Sequence, residues 1–321
     1  RMSRDWQHAF VAHMPDTALD ETAYADMAAD YIGVSVNKVH IHPDIGVKEL
    51  LRYIYLCEDP YTTSPVPFIQ TYGKIREAGI KVTLDGHGAD ELFGGYEFDL
   101  FSACIDAGFG SKAFDGIVDT YNGMVFDYNQ ISGADAVKRA VIYMRNNLNH
   151  VKAGDNFDRM DELNKCLYVE THNKVLPTIL RCYDRYSMAN GVEIRMPFMD
   201  YRIVCFAFSI PWTSKIRNGY TKAIVRDMAK PFMSKKILYR KQKIGFNAPL
   251  TEWFKGELRD FLLDVVHSRD FAECELVNSL EVCVDVNEFL KGEDCRFHDG
   301  VRLWKSIVPY LWKKAVIDCE S

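Results

Sequence analysis

No apolar run in these 321 residues is long enough to cross a bilayer, and no charged n-region followed by an apolar h-region opens the sequence. A cytoplasmic protein is therefore expected, with no membrane partner. Excess positive charge is also lacking: 39 Lys and Arg stand against 45 Asp and Glu, a net charge of −6 and a pI near 5.9. Without a basic face, nucleic acid is not an expected partner. There is no Cys-x-x-Cys pair, and the nine cysteines are odd in number and scattered from Cys57 to Cys319. That pattern suits reduced thiols better than a disulfide framework. His40-x-His42 places two imidazoles on one strand face without an apparent third ligand, so zinc is not expected. Gly108-Phe-Gly-Ser-Lys112 lacks the spacing of a Walker loop, and Ser132-Gly-Ala-Asp135 reads as a helix N-cap. Internal repeats and low-complexity linkers are absent as well.

What remains is the composition of an ordinary globular enzyme, 48% hydrophobic and 26% charged, in one large domain or two fused ones. The first hundred residues alternate. Strands are expected at 9–12, 34–41 and 81–84, and helices at 21–31 (capped by Asp20 and stopped at Gly33), 49–57 and 68–78. Alternation of this kind calls for a parallel sheet with crossover helices, a Rossmann-like α/β part over 1–100. Helical patterns dominate 101–321: 134–148, 162–187 with a break or kink at Pro177, 221–228, 250–266, 279–290 and 301–315. The expected fold class is thus α/β with a largely helical C-terminal half.

Residues 84–96 carry the most chemistry. A β-branched run, Ile80-Lys-Val-Thr-Leu84, breaks at Asp85-Gly-His-Gly88 and feeds a helix start with Asp90 and Glu91 in its first turn. Such a junction presents backbone N–H groups to an anion. Two acids there would repel a bare phosphate, a conflict that disappears if magnesium sits between carboxylate and phosphate oxygens. The plainer alternative is that the acids simply complement the helix dipole.

Two further stretches are dense in charge. In Leu180–Asp200, Arg181, Asp184 and Arg185 share a helix face by spacing, where interior ion pairing would brace the helix; Glu193 and Arg195 follow in an irregular stretch ending at Pro197. In the second, Lys222 begins a helix, where a cation opposes the dipole unless an anion lies nearby, and Lys243 sits in a loop before Ile-Gly-Phe246. Most lysines are simply solvated, which is the competing reading for both.

In this order the segments resemble the synthetase domain of the asparagine synthetase family. Gly86-His-Gly-Ala-Asp-Glu-Leu-Phe-Gly-Gly-Tyr96 is similar to the family's G-[EQ]-G-[AS]-D-E-[LV]-F-G-G-Y. Asp184-Arg-Tyr-Ser-Met-Ala and Val192-Glu-Ile-Arg-Met-Pro-Phe-Met-Asp200 resemble D-R-x-S-M-A and V-E-x-R-x-P-F-L-D. The Leu-Asp-Glu-Thr near Asp20, Thr221-Lys-Ala-Ile-Val-Arg226 and Lys243-Ile-Gly-Phe-Asn-Ala-Pro-Leu250 complete the set, which covers residues 9 to about 255.

The resemblance implies an adenine-nucleotide α-hydrolase-like fold and an ATP-pyrophosphatase reaction. A carboxylate, aspartate or another, attacks the α-phosphorus of ATP, and an amine, usually ammonia, displaces AMP. It implies ATP and Mg2+ as cofactors, with Asp90 holding Mg-pyrophosphate, Lys222 and Lys243 neutralising phosphate charge, and Ala12, Asp85, Gly86 and Gly88 around the nucleotide. Arg181, Asp184, Arg185, Glu193 and Arg195 would orient the site.

Two departures stand out. The family's S-G-G-x-D-S loop and its N-terminal glutaminase domain do not occur among these residues. The expectation is a glutaminase domain upstream in a longer chain, with a homodimer as a candidate assembly; a nucleotide- or partner-binding relative without turnover is the alternative. His87 stands where asparagine synthetases carry Glu or Gln and β-lactam-forming relatives carry Tyr. A histidine there would accept a proton from the attacking amine, or merely brace the loop. It also keeps open a specialised carboxylate–amine ligase that forms a lactam or another amide.

Overall fold

The computed structural model describes residues 7–45, 47–124, 132–147 and 155–319. The chain divides into two compact units, Arg1–Val82 with Cys182–Glu193 and Ile244–Ser321, and Thr83–Arg181 with Ile194–Lys243. Each unit is thus assembled from segments distant in sequence. Beyond residue 100 the described residues are mostly helical, with one short strand at Glu193–Arg195.

The first unit opens with β1 (His8–His13), α1 (Thr22–Ile32), β2 (Ser35–His40), α2 (Val47–Cys57) and α3 (Val66–Glu77). β1 and β2 pair in parallel, with Ala12 opposite Val39 and both buried. α1 makes the crossover and ends where Gly33, at φ +78°, takes the left-handed cap that glycine adopts without a Cβ penalty. Asp20 joins the end of β1 to the start of α1: its carboxylate accepts from the N–H groups of Met14 and Thr22, each at 2.8 Å. The core beneath comes largely from the C-terminal end of the chain. Phe254, Leu262, Phe271, Leu303 and Trp304 are essentially inaccessible to solvent and cluster with Ala12, Val39 and Leu50. Residues beyond 250, whose role is not legible in the sequence, are therefore the hydrophobic support of the first two strands.

The second unit starts within β3 (Val82–Leu84) and continues through α4 (Ala89–Phe93), α5 (Glu97–Ala107), α6 (Lys112–Gly123) and α7 (Gly133–Asn147). Its core gathers Leu100, Phe101, Phe114 and Ile117 with Leu163, Leu167 and Ile216. A smaller cluster of Leu92, Phe93 and Ala207 anchors α4.

Three expectations are corrected. The α/β class holds, but the sheet is small: among the described residues the strands form two pairs, β1–β2 and β3–β4 (Glu193–Arg195), of six and three residues. Glu193 and Arg195 are therefore strand residues, too short a run to show its period. The helix expected over 162–187 is two, Glu162–His172 and Val175–Met188, and the break falls at 173–174. Pro177 is the third residue of the second helix, where its missing N–H would have had no partner within the helix. The helix expected over 250–266 divides at Gly256 into Leu250–Lys255 and Arg259–His267. Leu148, the expected end of α7, lies outside the described residues.

Candidate active site around Asp90

The loop after β3 is shaped by glycines. The Asp85 N–H donates to the Arg195 carbonyl at 3.0 Å, which continues the β3–β4 ladder. Gly88 sits at φ +92°, a backbone conformation that favours glycine, and a Cβ there would displace the flexible end of Met199, whose Sδ would lie 2.6 Å away. α4 then places Asp90 and Glu91 in its first turn. The helix stops at Gly94, and the N–H groups of Gly94 and Gly95 both donate to the Asp90 carbonyl, at 2.9 and 3.0 Å. A Cβ on Gly95 would fall 1.7 Å from Asp90 Oδ1, so the bare backbone of Gly95 is what leaves the carboxylate its rotamer.

Two ammonium groups close on that carboxylate. Lys222 Nζ donates to Oδ1, and Lys243 Nζ donates to Oδ2 at 2.8 Å. All three side chains are about three-quarters buried, at 23–24% exposure. Burial alone would raise the Asp90 pKa; Lys222 and Lys243 outweigh it and hold the carboxyl well below the usual carboxylate range. The cluster of two cations and one anion keeps one unit of positive charge, which suits a polyanionic ligand.

The two lysines are themselves held. Lys222 is the N-cap of the helix Ala223–Ala229 and has φ +50°, a left-handed conformation that costs a non-glycine residue on the order of 1 kcal/mol. One turn on, Arg226 donates through Nε to the Thr221 carbonyl at 2.8 Å and through Nη1 to the carbonyls of Leu238 and Arg240. Its guanidinium lies 5.2 Å from the centre of the Tyr220 ring. Arg226 thereby links the backbone before Lys222 to the segment leading into Lys243. Lys243 Nζ lies 5.4 Å above the Tyr96 ring, a cation–π approach. The Tyr96 hydroxyl donates to Glu91 Oε1 at 2.6 Å, and its N–H to Asp99 Oδ2 at 2.7 Å. Burial raises the pKa of Glu91 and drives that of Asp99 up to about 8; Asp99 and its hydrogen-bond partner Glu170 are both fully buried.

His87 lies beside this clamp. Its Nδ1 is 3.9 Å from Asp85 Oδ2, and the two side chains are 16% and 21% exposed. Burial lowers the His87 pKa against the opposing pull of Asp85 and Asp90. A neutral imidazole, able to accept a proton, is the form expected at neutral pH.

The structure thus brings together Asp85, Gly86, His87, Gly88, Asp90, Lys222 and Lys243 within the second unit. Arg195 joins them through its carbonyl, which accepts from the Asp85 N–H. Arg181 also belongs to the second unit, while Ala12, Asp184, Arg185 and Glu193 belong to the first. Arg181 and Asp184 are exposed, so they form no buried brace. Arg185 instead donates to the Cys57 carbonyl and, at 3.1 Å, to Glu58. Sequence reasoning missed the supporting roles of Gly95, Tyr96, Arg226 and the Asp99–Glu170 pair. Gly95 and Tyr96 were visible as the end of the Gly-Gly-Tyr motif.

Among the described residues no three His, Cys, Asp or Glu side chains stand close enough to hold a metal on their own. A single carboxylate, Asp90, fits Mg2+ that is carried in largely by substrate phosphates, the usual way this ion binds. No helix among the described residues is long and apolar enough to cross a membrane.

The sequence profile described as asparagine synthase matches residues 1–292. The chain is 26% identical over 280 residues to asparagine synthetase [glutamine-hydrolyzing] 1 of Bacillus subtilis, covering 77% of this chain and 43% of that protein. It is 22% identical over 331 aligned positions to a putative asparagine synthetase [glutamine-hydrolyzing] of Mycobacterium tuberculosis, covering 93% and 49%. Similarity extends, at 22% identity over 77% of this chain and 44% of that protein, to amidase chry2 of Gibberella zeae. The chain spans about half the length of these curated relatives.

Proposed function

The chain belongs to the asparagine synthase family, and from that premise we propose that it is an ATP-dependent ligase that activates a carboxylate, aspartate in the leading reading, and converts it to an amide with ammonia. The observation that carries the proposal is the convergence of Lys222 and Lys243 on Asp90.

In the first step a substrate carboxylate oxygen attacks the α-phosphorus of ATP. A C(O)O–P bond forms, the bond from that phosphorus to the bridging oxygen breaks, and pyrophosphate leaves with its added charge. Two partly buried ammoniums converging on Asp90 support a role in meeting that charge, and loss of one such group costs on the order of 10²–10³ in turnover. Mg2+, when bound, neutralises phosphate charge, and Asp90 is the residue that would hold it. Lys222 and Lys243, which contact the same carboxylate, would neutralise phosphate charge beside it.

In the second step ammonia attacks the acyl carbon. A C–N bond forms, the C–O bond to the phosphate breaks, AMP leaves, and the proton lost from nitrogen passes to a ring nitrogen of neutral His87. The ammonia would come from a glutaminase domain in a longer chain, and the protein would act in the cytoplasm. His87 also supports a second reading, a specialised carboxylate–amine ligase, because a neutral base suits an amine acceptor that must lose its proton on attack. A screen of carboxylates with ammonia or organic amines, read by pyrophosphate release and product mass, tests both. Release driven only by aspartate with ammonia selects the first reading, and release driven only by another pair selects the second. No release with any pair, from this chain or a longer natural form, removes the ligase proposal.

A further inference from the structure

A cavity of about 840 Å3 opens in the first unit, and none of its lining belongs to the Asp90 site. Its size falls in the range that holds metabolite-sized ligands. One wall is β1 and β2, through Phe10, Asn37 and Val39; facing it are Arg52 and Tyr53 of α2 and Gln70 and Gly73 of α3. The walls are fixed rather than loose. Gln70 exchanges hydrogen bonds with the His42 backbone, accepting from its N–H and donating to its carbonyl, both at 2.9 Å. This clips the end of β2 to α3. Asn190 donates to the Ile69 and Tyr186 carbonyls, each at 3.2 Å, which sets the back of the cavity.

The lining is unequal in charge. Lys38, Arg52 and Lys74 contribute cations, and Glu77 contributes the one carboxylate. Lys38 and Lys74 are neutralised by Asp26 and Glu77, each at 2.7 Å. Arg52 is not well matched: its contact with Glu49 is 3.4 Å long and solvent-exposed, which leaves most of a five-donor fork for another acceptor. The rings of His40 and His42, which also line the cavity, pack edge to face at 4.7 Å, and neither has a side-chain hydrogen bond among the described residues. Phe10, Tyr53 and Ile69 supply apolar surface. Gly73 keeps the floor open: a Cβ there would already approach Asn190 Oδ1 to 3.4 Å.

We propose that this cavity binds a small organic anion, a carboxylate or phosphate monoester bearing an apolar or aromatic group, with Arg52 and the His40–His42 pair on the charged end and Phe10 and Tyr53 on the other. The site is separate from the ATP reading and stands or falls without it.

Isothermal titration of the 321-residue chain with phenyl phosphate, benzoate and inorganic phosphate tests the site. Phenyl phosphate or benzoate is expected to bind saturably, the tighter of the two identifying the charged end, and inorganic phosphate to bind more weakly than phenyl phosphate. Arg52→Gln should weaken binding about tenfold, the scale of one charged hydrogen bond. Gly73→Val should do the same by filling the floor, with circular dichroism confirming the fold and Gly73→Ala as a milder variant. Lys243→Ala should leave the affinity within about twofold, since it lies outside the cavity. Three results overturn the proposal: no saturable binding of either aromatic anion, inorganic phosphate binding as tightly as phenyl phosphate, or binding lost in Lys243→Ala and kept in both cavity variants.

Discussion

Gly95→Ala adds a single methyl group and should disable the site without touching any charged residue. No positive φ constrains Gly95, so its own backbone tolerates alanine. The methyl would nevertheless lie 1.7 Å from Asp90 Oδ1 and 2.4 Å from Asp90 Cγ. It would also lie 2.6 Å from Asp90 Cβ, which no rotamer moves, so the backbone between the two residues must shift and the carboxylate loses its contacts to Lys222 and Lys243. Losing the better part of two charge-assisted hydrogen bonds in a partly screened site costs roughly 2–4 kcal/mol. That corresponds to a fall in Tm of roughly 3–6 °C for a protein of this size. Thermal unfolding followed by circular dichroism measures it, and a pyrophosphate-release assay should show turnover falling with it. The cause is isolated by repeating the substitution in an Asp90→Gly background, where no side chain remains to be displaced. There Gly95→Ala should cost less than about 1 kcal/mol, so the two changes are strongly non-additive. Wild-type Tm and turnover in Gly95→Ala, or equal costs in both backgrounds, would refute the reasoning.

Other outcomes follow from the same geometry. His87→Gln should lower the amide-forming rate roughly a hundredfold and abolish the acid limb of its pH profile, which in the parent lies below 6.5 because burial depresses the imidazole pKa; an unaltered limb would remove His87 as proton acceptor. Asp99 has its folded pKa raised to about 8 from 3.8, chiefly by burial and then by the charge of Asp90. Between those values the folded chain holds a proton that the unfolded chain has released, so stability falls as pH rises from about 4 to 8. Asp99→Asn should flatten that slope in chemical denaturation, and a slope equal to the parent's would place its origin elsewhere. Arg226→Gln should raise the KM for ATP and lower turnover together, because the linkage between residues 221 and 240 is lost; unchanged kinetics would show that Lys222 and Lys243 are positioned without it.

How much of this was legible in the sequence differs sharply from residue to residue. Asp90, Lys222 and Lys243 are 132 and 153 positions apart, yet each sits in a recognisable segment, and the structure joins all three. The first helices were also visible, because their apolar periodicity and glycine stops are local signals. The three-residue strand at Glu193–Arg195 was not, since three residues show no period and it exists only by pairing with β3. The break at 173–174 was displaced to Pro177 because proline is the louder local cue, although a helix tolerates it in its first turn. Gly95 shows in the sequence only as part of a Gly-Gly-Tyr motif, and the approach of the Asp90 side chain reveals that the missing Cβ is the point. Arg226 looks like one more solvated cation until its carbonyl partners are known. Burial of the first strands by residues beyond 250 depends on contacts that no local pattern encodes.

The central claim is that Lys222 and Lys243, held on Asp90, serve departure of pyrophosphate from ATP. Its most direct test is carboxylate-dependent pyrophosphate release by the 321-residue chain and by any longer natural form, each with and without Lys243→Ala. The account predicts release that requires ATP, Mg2+ and a carboxylate and falls at least about a hundredfold in the variant. Release unchanged in Lys243→Ala, or absent from every unsubstituted form, would contradict it.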